Sequence, residues 1–221
     1  MNRLITPVWM LLLTSVVIVL SIPESREIFK SLTLSYPYVM GFLKIATLGT
    51  MGELLGGRIV TGQWRLSGIR LYQRALVWGF LGLVFTAVFP LFSFGVDGLL
   101  GVGLIPGAGS ALAAAFWKSV FLNLIFGFPM MVFHRITDTL IGRGELFGIW
   151  PLADVTGSID WRNMFRIVGA ACFWFWIPAH TITFLLPPEF RVVSAALLAV
   201  ILGAILGFAK KRARGDTLHP S

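Results

Sequence analysis

Charge is what this chain has least of. Only 13% of its 221 residues are Asp, Glu, Lys or Arg, while 57% are hydrophobic; ordinary globular proteins carry roughly 25% charged residues. A water-facing fold cannot bury that much apolar side chain, so part of the surface must face lipid. The same scarcity excludes a disordered chain, a coiled coil and a nucleic-acid-binding domain. Cysteine is nearly missing as well. Cys172 stands alone, which excludes an intrachain disulfide and a thiolate metal site. No internal repeat or inverted half-and-half symmetry is visible, which argues against a secondary transporter.

Catalytic signatures are also wanting. No serine lies in a nucleophile elbow, no cysteine has a histidine nearby, and no carboxylate pair falls within an apolar run. The glycine-rich stretch Gly95–Gly109 has no GxGxxG pattern and no preceding strand, so it is not a phosphate cradle; with Leu99, Leu100, Val102, Leu104 and Ile105 it reads as a loop dipping into the membrane interface. His134 and Asp138 lie one helical turn apart, but a zinc site needs three or four ligands. An i, i+4 contact on a solvated cap accounts for them. His219 belongs to a tail. Neither enzyme activity nor a cofactor or metal is expected.

What the chain does have is six apolar stretches: Leu4–Ile22, Tyr36–Val60, Ala75–Val96, Ser110–Phe133, Ile167–Pro188 and Val192–Ala209. About 20 helical residues cross the hydrocarbon, and runs without strand alternation can cross only as helices. The first run resembles a signal peptide, but its 19 residues exceed the roughly 7–15 of a signal h-region. Its one cleavage candidate, Val19-Leu20-Ser21, fits poorly, so a retained helix is expected. The predicted fold is all-α: a polytopic transmembrane bundle of about six helices, with a signal-anchor-like helix over 1–22, a membrane domain over 36–209 and a basic tail over 210–221.

Arginine and lysine test that count. Six alternating spans put Arg3, Arg58, Arg65, Arg70, Arg74, Arg135, Arg143, Arg162, Arg166, Lys210, Lys211, Arg212 and Arg214 on one side. Only Arg26, Lys30 and Arg191 fall on the other, and Lys44 and Lys118 lie within spans. Thirteen against three is a strong positive-inside signal. It predicts a multi-pass membrane protein with both termini cytoplasmic, or on the matrix side in an organelle. The same asymmetry explains the net charge of +8 without nucleic acid. The lipid bilayer is the expected partner, with the basic run Lys210–Arg214 able to touch anionic headgroups. His134–Arg166 reads as short amphipathic helices along the inner headgroups.

Polar residues inside the spans are the candidates for function. At 100° per residue Ala46, Gly49, Thr50, Glu53 and Gly57 share one narrow face, and Gly52-x-x-x-Gly56 lies beside it. An acid on such a stripe faces protein or water: Glu53 either lines a pathway or is a structural acid, bonded to a neighbouring helix or to Arg58. Lys118 lies on an alanine face with Ala111, Ala114 and Ala115. Lys44, Lys118 and His180 fall at one depth in the outer half, where they either form an anion-attracting vestibule or snorkel and bond to carbonyls. Asn123, mid-span, reads as an interhelical hydrogen bond. Pro90, Pro129 and Pro178 each release the carbonyl four residues earlier. Gly203-x-x-x-Gly207 offers a packing face or a contact for a homo-oligomer.

These residues, from about Tyr36 to Arg212, resemble the membrane-protein family that includes Mpv-seventeen and the twenty-two-kilodalton peroxisomal membrane protein. The family's opening pattern is matched by Pro37, Lys44, Gly49, Gly52 and Glu53, and its GF-x-G by Gly79, Phe80 and Gly82. Its third helix is matched by Lys118, Asn123 and Pro129, and its closing pattern by Trp176, Pro178, Phe184, Pro187 and Arg191. Leu122 stands where the family usually has an acid, no proline and aromatic pair follows Gly82, and the closing motif is two residues shorter. The resemblance implies a compact bundle of about four to six helices and a pore-like role for small solutes. The pore-lining candidates are then Glu53, Lys118, Asn123 and His180. The alternative is a non-transporting structural or assembly protein whose buried charges only hold helices together.

Overall fold

The computed structural model describes residues 2–218, and side chains over 4–167 and 169–212; the side chains of Arg3 and Arg214, and His219 entirely, lie outside the described residues. The chain is helical, and no strand occurs among the described residues. The helices are α1 Asn2–Ser21, α2 Pro23–Ser35, α3 Pro37–Thr61, α4 Leu71–Gly101, α5 Ala111–Phe121, α6 Phe128–Arg143, α7 Leu152–Gly157, α8 Trp161–Met164, α9 Ile177–Leu185 and α10 Pro188–Leu218. Wider π-turns over Leu122–Gly127, Phe165–Gly169 and Cys172–Trp176 join α5 to α6 and α8 to α9. Six continuous helical stretches are long and apolar enough to cross a membrane: Leu4–Ser21, Pro37–Thr61, Leu71–Gly101, Ala111–Arg143, Trp161–Leu185 and Pro188–Arg212. The protein is built as an integral, multi-pass membrane protein.

Three local expectations change. The third span runs past Val96 to Gly101, because Val96 and Leu100 are both buried, so the glycine-rich loop is shorter than the sequence reading. The two ends of His134–Arg166 belong to long spans, His134–Arg143 to one and Trp161–Arg166 to the next, and between them only α7 stands apart as a short helix. Between the first two spans lies α2, which no apolar run announced: Pro23 opens it and it buries no residue. Proline at the first turn is favourable because that N–H has no intrahelical partner.

The chain divides into two compact units, Met1–Leu83 with Val192–Ser221, and Val84–Arg191. The first unit is packed through glycine. A Cβ on Gly52 would come within 2.7 Å of the Ala199 carbonyl oxygen, and one on Gly56 within 3.0 Å of that of Gly203, so α3 and α10 touch backbone to backbone. Both small-residue motifs are thus spent on one another, and the Gly203–Gly207 face packs within the chain. Gly79 and Gly82 of α4 meet Phe42 and the Gly41 carbonyl of α3 in the same way. The opening helix docks onto this unit: Trp9 Nε1 donates to the Met51 carbonyl at 3.1 Å, and Trp64 Nε1 to Thr6 Oγ1 at 2.8 Å.

The second unit is packed through aromatic and large aliphatic side chains. Phe89 is almost fully buried and meets Phe85, His180 and Phe184. Pro129 and Pro178 sit at the first turns of α6 and α9, each immediately after a π-turn. A wider turn moves the preceding carbonyl away from the proline ring, so the chain stays helical where an α-turn would clash.

Candidate functional site

Glu53 has the most developed surroundings. In the first unit it forms an ion pair with Arg74 of α4, and its second oxygen accepts from Trp78 Nε1 at 3.2 Å. Arg58, five residues from it in sequence, is not its partner. Arg74 is aimed by its own helix start: Arg70 takes φ 51°, and the adjoining Ile69 carbonyl accepts from Arg74 Nε at 2.9 Å. A non-glycine residue in the left-handed region is uncommon, so the turn that presents Arg74 is held against its local preference. Gly62, at φ 75°, ends α3 at the same end of the site.

A recess of about 150 Å³ opens beside this pair, lined by Glu53, Gly57, Arg58, Thr61, Arg65 and Arg74 among others. Three guanidiniums face one carboxylate there, leaving positive charge in excess. Among the described residues Arg58 and Arg65 meet no carboxylate. The recess follows α3 from Glu53 toward Thr61 and does not extend past Glu53 toward Gly49. There the Trp78 ring covers Gly49 so closely that a Cβ would come within 2.6 Å of it. The predicted polar stripe is therefore half open: blind at Trp78, accessible below Glu53. On the same predicted face of α3, Thr50 Oγ1 is buried without a hydrogen-bond partner.

Lys44 belongs to the same unit. It is buried, donates to Thr33 Oγ1 of α2 at 2.8 Å and lies over the Phe29 ring. It neither snorkels freely nor lines an open vestibule.

The second unit holds the other candidates. Lys118 pairs with Asp97 at 2.8 Å; its own side chain is 11% exposed and the carboxylate 53% exposed. Asn123 and His180 are brought together. Asn123 Nδ2 lies 2.8 Å from the Ser119 carbonyl and 3.1 Å from His180 Nδ1. Since the amide nitrogen donates to the carbonyl, its second hydrogen points at Nδ1, which must accept; the imidazole proton then sits on Nε2. His180 stacks on Trp176 with ring centres 5.0 Å apart, and Nε2 is buried without a partner. The carbonyl partner expected for His180 is replaced by the Asn123 amide. Ser119 Oγ adds a bond to the Ile177 carbonyl at 2.7 Å, joining α5 to α9 at the proline. Arg191 caps the end of α9, donating to the Phe184 and Leu186 carbonyls and to Ser93 Oγ.

Sequence reasoning missed Arg74, Trp78 and Asp97. Arg74 and Trp78 are four apart, hence on one helix face, a signal visible once α4 is begun at Leu71. Asp97 lies one residue beyond the predicted end of the third span. His134 Nε2 and Asp138 Oδ2 are 4.0 Å apart, and no group of three or more His, Cys, Asp or Glu gathers among the described residues.

No protein-family model, curated protein or solved structure matches this chain.

Proposed function

We propose that this protein is a small, weakly selective pore that favours anionic solutes, with the recess at Glu53 as its inner vestibule and Trp78 as its closing group. The carrying observation is the recess itself: three arginines around one glutamate, whose second oxygen is held by the Trp78 indole. Excess positive charge in a confined cleft concentrates anions, and a pair such as Glu53–Arg74 keeps the carboxylate from repelling them. The unpartnered Thr50 hydroxyl, one turn from Glu53 on α3, supports the reading, because a buried orphan hydroxyl is costly unless water reaches it in another state. Kinship with the Mpv-seventeen family is part of this proposal. It rests on the motif residues, among which Gly49 and Glu53 meet Trp78, and Gly52 meets α10.

The protein reconstituted in liposomes should release small anions faster than cations. Trp78→Ala should raise that flux, and Glu53→Gln should shift selectivity further toward anions. Vesicles that stay sealed with either variant, after inserted protein has been verified, would refute the pore.

A second reading, a non-transporting structural protein, is favoured by the other unit. There Lys118 is neutralised by Asp97, and Asn123 donates to His180 Nδ1 among aromatic rings. On this reading Glu53→Gln lowers stability and no variant gives flux.

A further inference from the structure

The first unit contains a second recess, separate from the one at Glu53. Its volume is about 320 Å³, and its walls include Trp9, Met10, Trp64 and Phe208, with two cations, Arg58 and Lys211. Both indole N–H groups are already spent, on the Met51 carbonyl and on Thr6 Oγ1, so the tryptophans offer ring surface and no free donor. Their ring centres are 6.2 Å apart, tilted by 34°, which makes an apolar wall. Among the described residues neither Arg58 nor Lys211 is paired with a carboxylate. Arg58 is half-buried and Lys211 exposed, so the charge is graded from the wall outward.

An apolar wall beside two cations that meet no carboxylate among the described residues complements a molecule with an anionic head and hydrocarbon attached. We infer that this recess binds an anionic phospholipid, its phosphodiester between Arg58 and Lys211 and an acyl chain along Met10 and Phe208. A free phosphate shares the head chemistry but would leave the aromatic wall unused. The surroundings fit: basic pockets between membrane helices hold anionic headgroups, and tryptophan is enriched at headgroup depth. The recess does not depend on conduction, since a sealed protein would bind the lipid equally well. Arg58 also lines the Glu53 recess, so the test leaves it untouched.

Native mass spectrometry of the purified full chain, given an equal mixture of phosphatidylglycerol and phosphatidylcholine with identical acyl chains, reads the preference directly. Phosphatidylglycerol should be retained severalfold over phosphatidylcholine. Lys211→Gln should reduce that retention roughly fivefold, the effect of one cation near a headgroup, while Lys210→Gln, next in sequence and not part of the recess, should leave it unchanged. Met10→Trp, which fills the wall and keeps every charge, should also reduce it. A large excess of inorganic phosphate should not displace the lipid. Equal retention of the two lipids would overturn the inference. So would equal losses in Lys210→Gln and Lys211→Gln, which mark diffuse attraction to a basic helix. Binding unaffected by Met10→Trp, or lipid fully displaced by phosphate, would leave a headgroup-only anion site and overturn the lipid as its occupant.

Discussion

The two units handle polar groups in opposite ways. The unit of Met1–Leu83 with Val192–Ser221 brings backbones into contact through glycine, and it tolerates a cluster of arginines that outnumber their acid. The unit of Val84–Arg191 fills its interior with aromatic side chains around Phe89, brings α5 against α9 at Ser119, and pairs Lys118 with Asp97 and Asn123 with His180. Van der Waals packing, rather than a hydrophobic driving force, holds helices together in lipid. Glycine faces meet that need with backbone contact, which leaves side chains such as Glu53 to project beside the seam. Aromatic faces meet it with side chains, and polar groups enclosed among them pair with one another, as Asn123 does with His180 Nδ1, while His180 Nε2 is left without a partner. Uncompensated charge, and with it the candidate solute and lipid sites, therefore collects where packing is done by glycine.

The sharpest way to break this comparison is to add bulk to a seam glycine. Gly203→Leu would drive its side chain into the backbone of Gly52, where even a Cβ lies 2.8 Å from the carbonyl carbon. Backbone cannot rotate away, so a loss of roughly 3 kcal/mol is expected, at the upper end of overpacking costs. Gly95→Leu in the other unit meets nothing within 4 Å and should change stability by less than about 0.5 kcal/mol. Thermal unfolding of the detergent-solubilised variants gives both values. Similar midpoints for the two variants would mean that glycine contact does not hold α3 to α10.

Next in size are the two ion pairs. Glu53→Gln leaves Arg74 without its counterion in a site where the carboxylate is 27% exposed. Its cost should be about 2 kcal/mol, short of the roughly 3–5 for a fully buried pair. Asp97→Asn acts on a carboxylate that is 53% exposed and should cost about 0.5–1 kcal/mol. Unfolding midpoints at two salt concentrations sharpen the contrast, since only the Asp97 pair should weaken measurably with added salt. The reverse order would show that Glu53 is better hydrated than its geometry implies.

Much of this arrangement was legible in residue order, and what was not has physical causes. Apolar run length located six spans because lipid imposes a minimum on every crossing. The 100° period located the Glu53 stripe and the adjoining glycines because α3 is regular. Arg74 escaped because apolar runs reveal only the middle of a helix, whereas α4 starts at Leu71 and carries Arg74 and Trp78 on its first turns. Asp97 escaped for the same reason at the other end. Helix α2 escaped because its two glutamates, arginine and lysine read as a connector, although Pro23 is a fair start signal. The prolines marked where α-geometry had to fail in the second unit, but the π-turns chosen in response depend on which residues α5 and α9 must bring face to face.

That dependence gives the smallest effect and the finest test of the aromatic unit. Pro178→Ala restores an N–H that could close an α-turn onto Trp174, and removing the extra residue of a π-turn would rotate everything after it by about 100°. The rotation would carry His180 away from Asn123 and the Ile177 carbonyl away from Ser119, bonds now made at 3.1 and 2.7 Å. Interhelical hydrogen bonds in membranes average about 0.6 kcal/mol each. Together these outweigh the one backbone bond on offer, whose net value is about 1 kcal/mol. Pro178→Ala should therefore keep the π-turn over Cys172–Trp176 and shift stability by less than about 1 kcal/mol. The His180 ring resonances should remain those of the unsubstituted protein, while Asn123→Leu should move them. If Pro178→Ala alone shifts them as far, the proline rather than the contact between α5 and α9 sets the register of this helix.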